Sequence, residues 1–160
     1  MSLKFLGLIA GAAFAMAAAG PATAQTTIKL GHFGPGGDAF SLTVEAFAAE
    51  LDKRSEGRLK VQIYPAGQLG NEKQQISALQ GGLQEMLVTA ATNLTNMSEP
   101  LRLLDLPFVF GNYDEADAVT TGEFGAKFLA GLEDANLSGL ALWENGFRVL
   151  TNNKRPIDMP

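Results

Sequence analysis

The stretch from Thr27 to Tyr64 limits the possible folds more than any other part of the chain. Two short runs of period two flank one longer run of helical period. In Thr27 to Gly31, Ile28 and Leu30 face one way and Thr27 and Lys29 the other. In Leu59 to Tyr64, Leu59, Val61 and Ile63 share a face. Between these runs Phe40, Val44, Phe47 and Leu51 recur at spacings of four, three and four. They form one apolar stripe on a helix that runs from Asp38 to the region of Glu56. Asp38 suits the N-cap, Lys53 and Arg54 suit the negative end of the helix dipole, and Gly57 suits the residue that stops it. Two strands joined by one helix make a βαβ unit, so the fold class is α/β with a parallel pair.

The rest of the chain extends this pattern. Asn71 is placed to cap a helix from Glu72 to Gln80 that turns Ile76 and Leu79 inward and closes at Gly81-Gly82. Leu83 to Thr89 reads as a third strand. Pro100 to Phe110 is the most apolar segment after residue 25. Pro107 argues against a central strand there, so we expect a short helical turn followed by an extended piece packed on the core. A helix is predicted from Asp114 to Ala130, broken or softened at Gly122 and Gly125, then a shorter one over Gly131 to Asn136. Leu137 to Trp143 is expected to return to the sheet and deliver the chain to the turn Glu144-Asn145-Gly146.

The first two dozen residues read differently. Lys4 is followed by the small, apolar run Phe5 to Ala19, and Pro21-Ala-Thr-Ala24 offers a small-x-small cleavage site before Gln25. This is the pattern of a secretory signal peptide over residues 1–24, with cleavage after Ala24. The run is short for a transmembrane anchor, and no later stretch is long and apolar enough to span a bilayer. The 136 residues from Gln25 to Pro160 suffice for one domain with a sizeable core, but not for two full domains around a cleft. Without Lys4 the balance is 11 basic against 17 acidic residues, with no basic cluster, which argues against nucleic acid as a partner. There is no cysteine, hence neither a disulfide framework nor a lipid-modified cysteine after the cleavage site. The expected location is the periplasm, without membrane insertion.

Candidate site residues come from the loops that follow the strands, where α/β folds bind ligands. His32-Phe33-Gly-Pro-Gly-Gly37 follows the first strand. It lacks the spacing of a dinucleotide fingerprint. His32 is a cleft candidate, or else a hydrogen-bonded wall residue; no cluster of metal-ligating residue types accompanies it. Tyr64-Pro-Ala-Gly-Gln-Leu-Gly70 follows the second strand, and the helix start after Asn71 offers free N–H groups, which serve either a polar ligand or ordinary capping. Thr89 to Ser98 is a run of small polar residues suited to presenting amides and hydroxyls, or simply to connecting elements. Near the C-terminus Arg148 follows the turn at 144–146. Its guanidinium fork suits both oxygens of a carboxylate, and equally a structural salt bridge. No catalytic constellation is present: one histidine, no cysteine and no Gly-x-Ser-x-Gly elbow around Ser41.

Taken in order and spacing, Tyr64-Pro-Ala-Gly-Gln-Leu-Gly70, Leu79-Gln-Gly-Gly82, Leu106-Pro-Phe108, Asn145-Gly-Phe-Arg148 and Thr151-Asn152 give the chain a specific resemblance. From Thr27 to Pro160 it resembles the periplasmic solute-binding proteins of the tripartite ATP-independent (TRAP) transporters, the C4-dicarboxylate type. The resemblance implies a periplasmic-binding-protein-like (type II-like) fold of two α/β lobes that close on an organic acid. It implies handover to the small and large membrane subunits of a permease driven by an ion gradient. Arg148 falls at the family arginine that helps bind the ligand carboxylate, just after the first crossing between lobes. The implied ligand-binding set is Arg148, Asn71, Phe33, His32, Gln68, Ala90 and Asn93, with no metal and no cofactor.

The implied division is a signal peptide over 1–24, a first lobe over 25–143 that lacks its returning strands, and a crossing segment with the start of a second lobe over 144–160. The segment that would carry the family's second arginine lies beyond Arg155-Pro-Ile-Asp-Met-Pro160, so the sequence reads as the N-terminal half of such a protein. By itself it is expected to be a monomer of poor stability and weak ligand binding. The positions that match polar or acidic residues in the sialic-acid-binding branch are Phe33, Asn71 and Ala90. Only Asn71 is polar, which disfavours sialic acid. A ligand-presenting role toward a membrane receptor kinase, or a truncated fragment without function, remains the alternative to transport.

Overall fold

The computed structural model describes residues 25–147, 149, 151, 153 and 154. The proposed signal peptide, Arg148 and residues 155–160 lie outside the described residues. The chain opens with strand β1 (Thr26–Gly31), helix α1 (Ala39–Arg54) and strand β2 (Leu59–Tyr64). β1 and β2 run parallel in register from Thr26 against Leu59 to Gly31 against Tyr64. The βαβ unit is therefore the one that the periodicity predicts. Asp38 caps α1, its carboxylate accepting from the Ser41 amide at 2.7 Å. The apolar stripe is only partly buried: Val44 is fully enclosed, whereas Phe47 stays exposed. Ser41 is buried with it because its hydroxyl donates to the Pro35 carbonyl at 2.8 Å.

The stop of α1 differs by one residue from the expectation. Glu56, not Gly57, takes the first left-handed position (φ 54°), followed by Gly57 (φ 79°). Glu56 N–H donates to Lys53 O and Gly57 N–H to Asp52 O, which satisfies two carbonyls of the last turn.

Helix α2 (Glu72–Gln80) begins with a reciprocal capping box between Asn71 and Gln74. It ends with Gly82 N–H on Leu79 O and Leu83 N–H on Ala78 O. That wrap shortens the third strand. The amides of Leu83 and Gln84 are committed to Ala78 O, so β3 is only Met86–Leu87 and not Leu83 to Thr89. β3 lies parallel to β1, pairing Leu30 with Met86 and Gly31 with Leu87. One residue earlier a side chain replaces the strand: the Glu85 carboxylate accepts the Lys29 amide at 2.8 Å and pairs with the Lys29 ammonium at 3.7 Å.

The sheet order is β2-β1-β3. Going out to β2 and back past β1 to β3 with right-handed crossovers puts α1 and α2 on opposite faces. The apolar residues follow this division. Leu30 and Val44 are buried apart from the larger cluster of Ile76, Leu101, Phe128, Leu132 and Leu137, against which Leu79, Leu87 and Leu94 pack.

Beyond β3 the chain is mostly helical. Short 3-10 segments occupy Ala91–Leu94 and Glu99–Asp105. Leu101 is the buried residue of the second; the piece after it does not pack on the core as expected. Leu106 and Val109 are exposed, and Phe108 is 92% exposed with φ 63°. The single helix expected over 114–130 is two: α3 (Tyr113–Thr121) and α4 (Glu123–Ala130), divided at Gly122. The predicted turn of helix over 131–136 is a 3-10 segment, Glu133–Ala135. Gln80 Nε2 donates to Ala135 O, and Asn136 Nδ2 to Gln80 O, tying this turn to the end of α2. Leu137 to Trp143 carries no regular secondary structure, so the expected return strand does not form. Leu137 and Leu142 still reach the core, but the described sheet offers this stretch no strand pairing. Among the described residues no helix is long and apolar enough to cross a membrane.

Candidate functional site

In a 2-1-3 parallel sheet the chain leaves β1 in one direction and β3 in the other, so a crevice opens at their carboxyl ends. The loops at this edge are stitched together by main-chain hydrogen bonds. His32 N–H donates to Tyr64 O at 3.1 Å, Gly67 N–H to His32 O at 3.0 Å, and Ala66 N–H to Gly34 O at 3.1 Å. Val88 N–H closes the other side on Gly31 O at 2.9 Å. The loop after β2 also folds on itself, with Gln68 N–H on Pro65 O and Gly70 N–H on Gly67 O. The Phe33 ring lies against Gly67, so near that a β-carbon there would sit 3.4 Å from its edge.

Two buried amides support this edge from the α2 side. Gln75, 0% exposed, donates to Gly70 O at 2.9 Å and accepts from Gln84 Nε2 at 3.1 Å. Gln84 donates also to Met86 O at 2.7 Å. The pair fits only because residue 31 is glycine: a β-carbon there would overlap Gln75 Oε1. Sequence reasoning passed over both glutamines because it treated α2 as an apolar stripe. The available signal was a glycine closing a strand opposite two amides.

The structure brings the loop candidates to one edge, with different exposure. Phe33 is half-buried; Gln68, Asn71 and Ala90 are exposed; Asn93 is half-buried and donates to the Thr89 hydroxyl at 3.0 Å. The Asn71 carbonyl oxygen is engaged by the Gln74 amide in capping, which leaves its amide N–H groups as the part suited to a ligand. His32 is 0% exposed, and neither ring nitrogen has a partner among the described residues. It sits under the loops and does not open onto them. Strand alternation sends its ring to the face opposite Gln75, since the β-carbon direction of Gly31 points at Gln75. Arg148 lies outside the described residues. Among the described residues no group of three histidine, cysteine, aspartate or glutamate side chains is arranged to hold a metal ion.

The turn before Arg148 docks on α3. Tyr113 and Asp117 stand one helical turn apart on that helix. The Tyr113 ring meets Phe147 edge to face at 4.8 Å, and Glu144 lies near Asp117. Trp143 meets Phe40 edge to face at 5.5 Å. Desolvation first, and then the nearby Asp117 carboxyl, raise the Glu144 pKa above its usual 4.5, although the side chain as a whole remains exposed.

A doubly wound parallel layer with its loops gathered at the carboxyl edge defines one lobe of a periplasmic-binding-protein-like fold. Residues 30–160 match the profile of DctP, the bacterial extracellular solute-binding proteins of family 7, and the chain belongs to that family. A TRAP periplasmic solute-binding protein from Ochrobactrum anthropi, with its C-terminus bound in the ligand-binding pocket, superposes with a TM-score of 0.81. It is 39% identical, over 84% of this chain and 42% of that one. One from Polaromonas sp. JS666, bound to D-erythronate, is 35% identical with a TM-score of 0.77, over 83% of this chain and 44% of that one. The 2,3-diketo-L-gulonate-binding periplasmic protein YiaO of Escherichia coli is 32% identical over 86% of this chain and 42% of its own length. The chain thus spans less than half the length of these relatives. The family is one of binding proteins, not of enzymes.

Proposed function

We propose that this chain forms the first lobe of a periplasmic protein that binds a small organic acid and delivers it to the small and large membrane subunits of a TRAP permease. The observation that carries the reading is the stitched carboxyl-edge loop cluster in a chain of this family. Phe33, Gln68, Asn71, Ala90 and Asn93 line the first-lobe wall, and His32 backs it. Arg148 clamps the carboxylate through its two-pronged guanidinium. Residues 25–143 make the lobe and 144–160 lead toward a second one, with residues 1–24 removed on export. The ligands named for the relatives support an acid: D-erythronate in the Polaromonas protein and 2,3-diketo-L-gulonate in the Escherichia coli one.

The test is a thermal-shift and calorimetric screen of sugar acids, dicarboxylates and neutral sugars on the polypeptide extended to the length of its relatives. An acid is expected to raise the melting temperature. Arg148→Ala is expected to weaken its binding by about 30-fold or more, since removing one partner of a desolvated charge pair costs about 2–5 kcal/mol. Binding of neutral sugars alone, or acid binding unchanged in Arg148→Ala, overturns the reading.

A further inference from the structure

The charges that the first-lobe wall carries, and those that it lacks, bear on the end of the ligand that meets it. The loops at the carboxyl edge, residues 32–38, 64–72 and 88–98, contain no lysine and no arginine. Lys53, Arg54, Arg58 and Lys60 stand at the opposite edge of the sheet, at the end of α1 and the start of β2. The Lys29 ammonium is taken by Leu83 O and Glu85, and that of Lys127 by Glu123. Arg102 borders a surface hollow with Glu99, Pro100 and Leu103. Lys73 is the basic residue next to these loops in the chain; it is exposed in the first turn of α2, directly after the acid Glu72. Arg148, Lys154 and Arg155 follow the lobe.

What the wall does carry is amides held in fixed orientations. Asn71 Oδ1 accepts the Gln74 amide at 3.0 Å, so Nδ2 is the end left to donate. Asn93 is turned the other way: its Nδ2 donates to Thr89 Oγ1 at 3.0 Å, and Oδ1 is left to accept. The acids on these loops are Asp38, held by the Ser41 amide, and Glu72. The half-buried Phe33 ring adds an apolar surface. A carboxylate only accepts hydrogen bonds, so an open amide oxygen repels it, and here it would lose water with no cation to offset the loss. A hydroxyl donates and accepts, and so satisfies Asn71 and Asn93 alike.

We propose that the ligand is a polyhydroxy monocarboxylate, a sugar acid in chemical class: its carboxylate goes to Arg148, and its uncharged, hydroxylated end goes to Asn71 and Asn93. This rests on the function proposed above and narrows it, because a second carboxylate at the far end does not fit the wall.

The experiment is titration calorimetry on the polypeptide extended to the length of its relatives, with compounds matched in chain length at four, five and six carbons. Each set holds an aldonate, the aldarate in which the terminal CH2OH is replaced by a second carboxylate, the unsubstituted fatty acid and the neutral alditol. At one chain length the aldonate is expected to bind at least about 30-fold more tightly than the aldarate and the fatty acid, since each leaves polar or charged groups unpaired on closure. Asn71→Ser keeps a capping oxygen but offers no amide N–H. It is expected to weaken aldonate binding about fivefold, the loss of one hydrogen bond, with the melting temperature of the unliganded protein unchanged. An aldarate or fatty acid bound as tightly as the aldonate, or Asn71→Ser without effect on aldonate affinity, overturns this inference and leaves the acid-binding function standing. Binding of none of these acids overturns it too, and binding of the alditols alone overturns the function with it.

Discussion

Replacing Gly31 by alanine should damage the ligand edge and the stability of the lobe together. The added β-carbon would overlap Gln75 Oε1 and lie 2.9 Å from Gln84 Nε2 and 3.0 Å from Gln75 Cδ. The Gln75 amide must then leave a position where it makes two bonds, to Gly70 O and to Gln84 Nε2. Each polar group left unpaired in a buried site costs about 1–3 kcal/mol, and displacing packed neighbours adds roughly 1–3 kcal/mol. Alanine recovers about 0.4–1 kcal/mol by restricting the unfolded chain. The net loss is about 3 kcal/mol, a factor of roughly a hundred in the folding equilibrium. Urea unfolding should show it as a midpoint lower by about 1 M or more, at a slope of roughly 1–3 kcal/mol/M. Gly31→Ala combined with Gln75→Ala should be milder than the two single losses added, by at least about 1 kcal/mol, because the second change removes the atom that clashes. A single-mutant loss below about 1 kcal/mol, or strict additivity, would show that the buried amides do not brace the loop.

Two further substitutions test other parts of the argument. Asn71→Ala removes the cap that receives the Gln74 amide and should cost about 1 kcal/mol by chemical denaturation, while Asn71→Asp should retain most of the stability; equal losses would discount the capping role. Phe108→Gly should raise stability by about 0.5–1 kcal/mol, since Phe108 is exposed and left-handed, where only glycine is free of strain; a loss would mean that its ring makes a contact worth more than the strain.

What the sequence disclosed is what local periodicity and capping decide. β1, α1, β2 and α2 need only neighbours within a few residues, and Asp38 and Asn71 mark the two helix starts in plain type. The third strand was overdrawn because its length depends on tertiary competition. Ala78 O claims the Leu83 and Gln84 amides, and the Glu85 carboxylate takes the place of a backbone partner on Lys29. Of the two glycines that could break or soften the helix over 114–130, Gly122 divides it and Gly125 stays inside the second half. Leu137 to Trp143 looks like a strand by composition, yet a strand needs a partner, and none in the described sheet is offered to it. At the site, the loops were legible from their place after strands. The burial of His32 and the bracing by Gln75 and Gln84 were not, since both depend on what the helices pack against the two faces of β1.

The loop after β2 hangs from the loop after β1 by carbonyls and amides, His32 O to Gly67 N–H and Gly34 O to Ala66 N–H. Every amino acid except proline supplies those groups. Mutational drift at Phe33 and Gln68 can therefore alter what the wall recognises while the frame beneath it persists. A lineage built on this lobe can change its diet without having to reinvent its architecture.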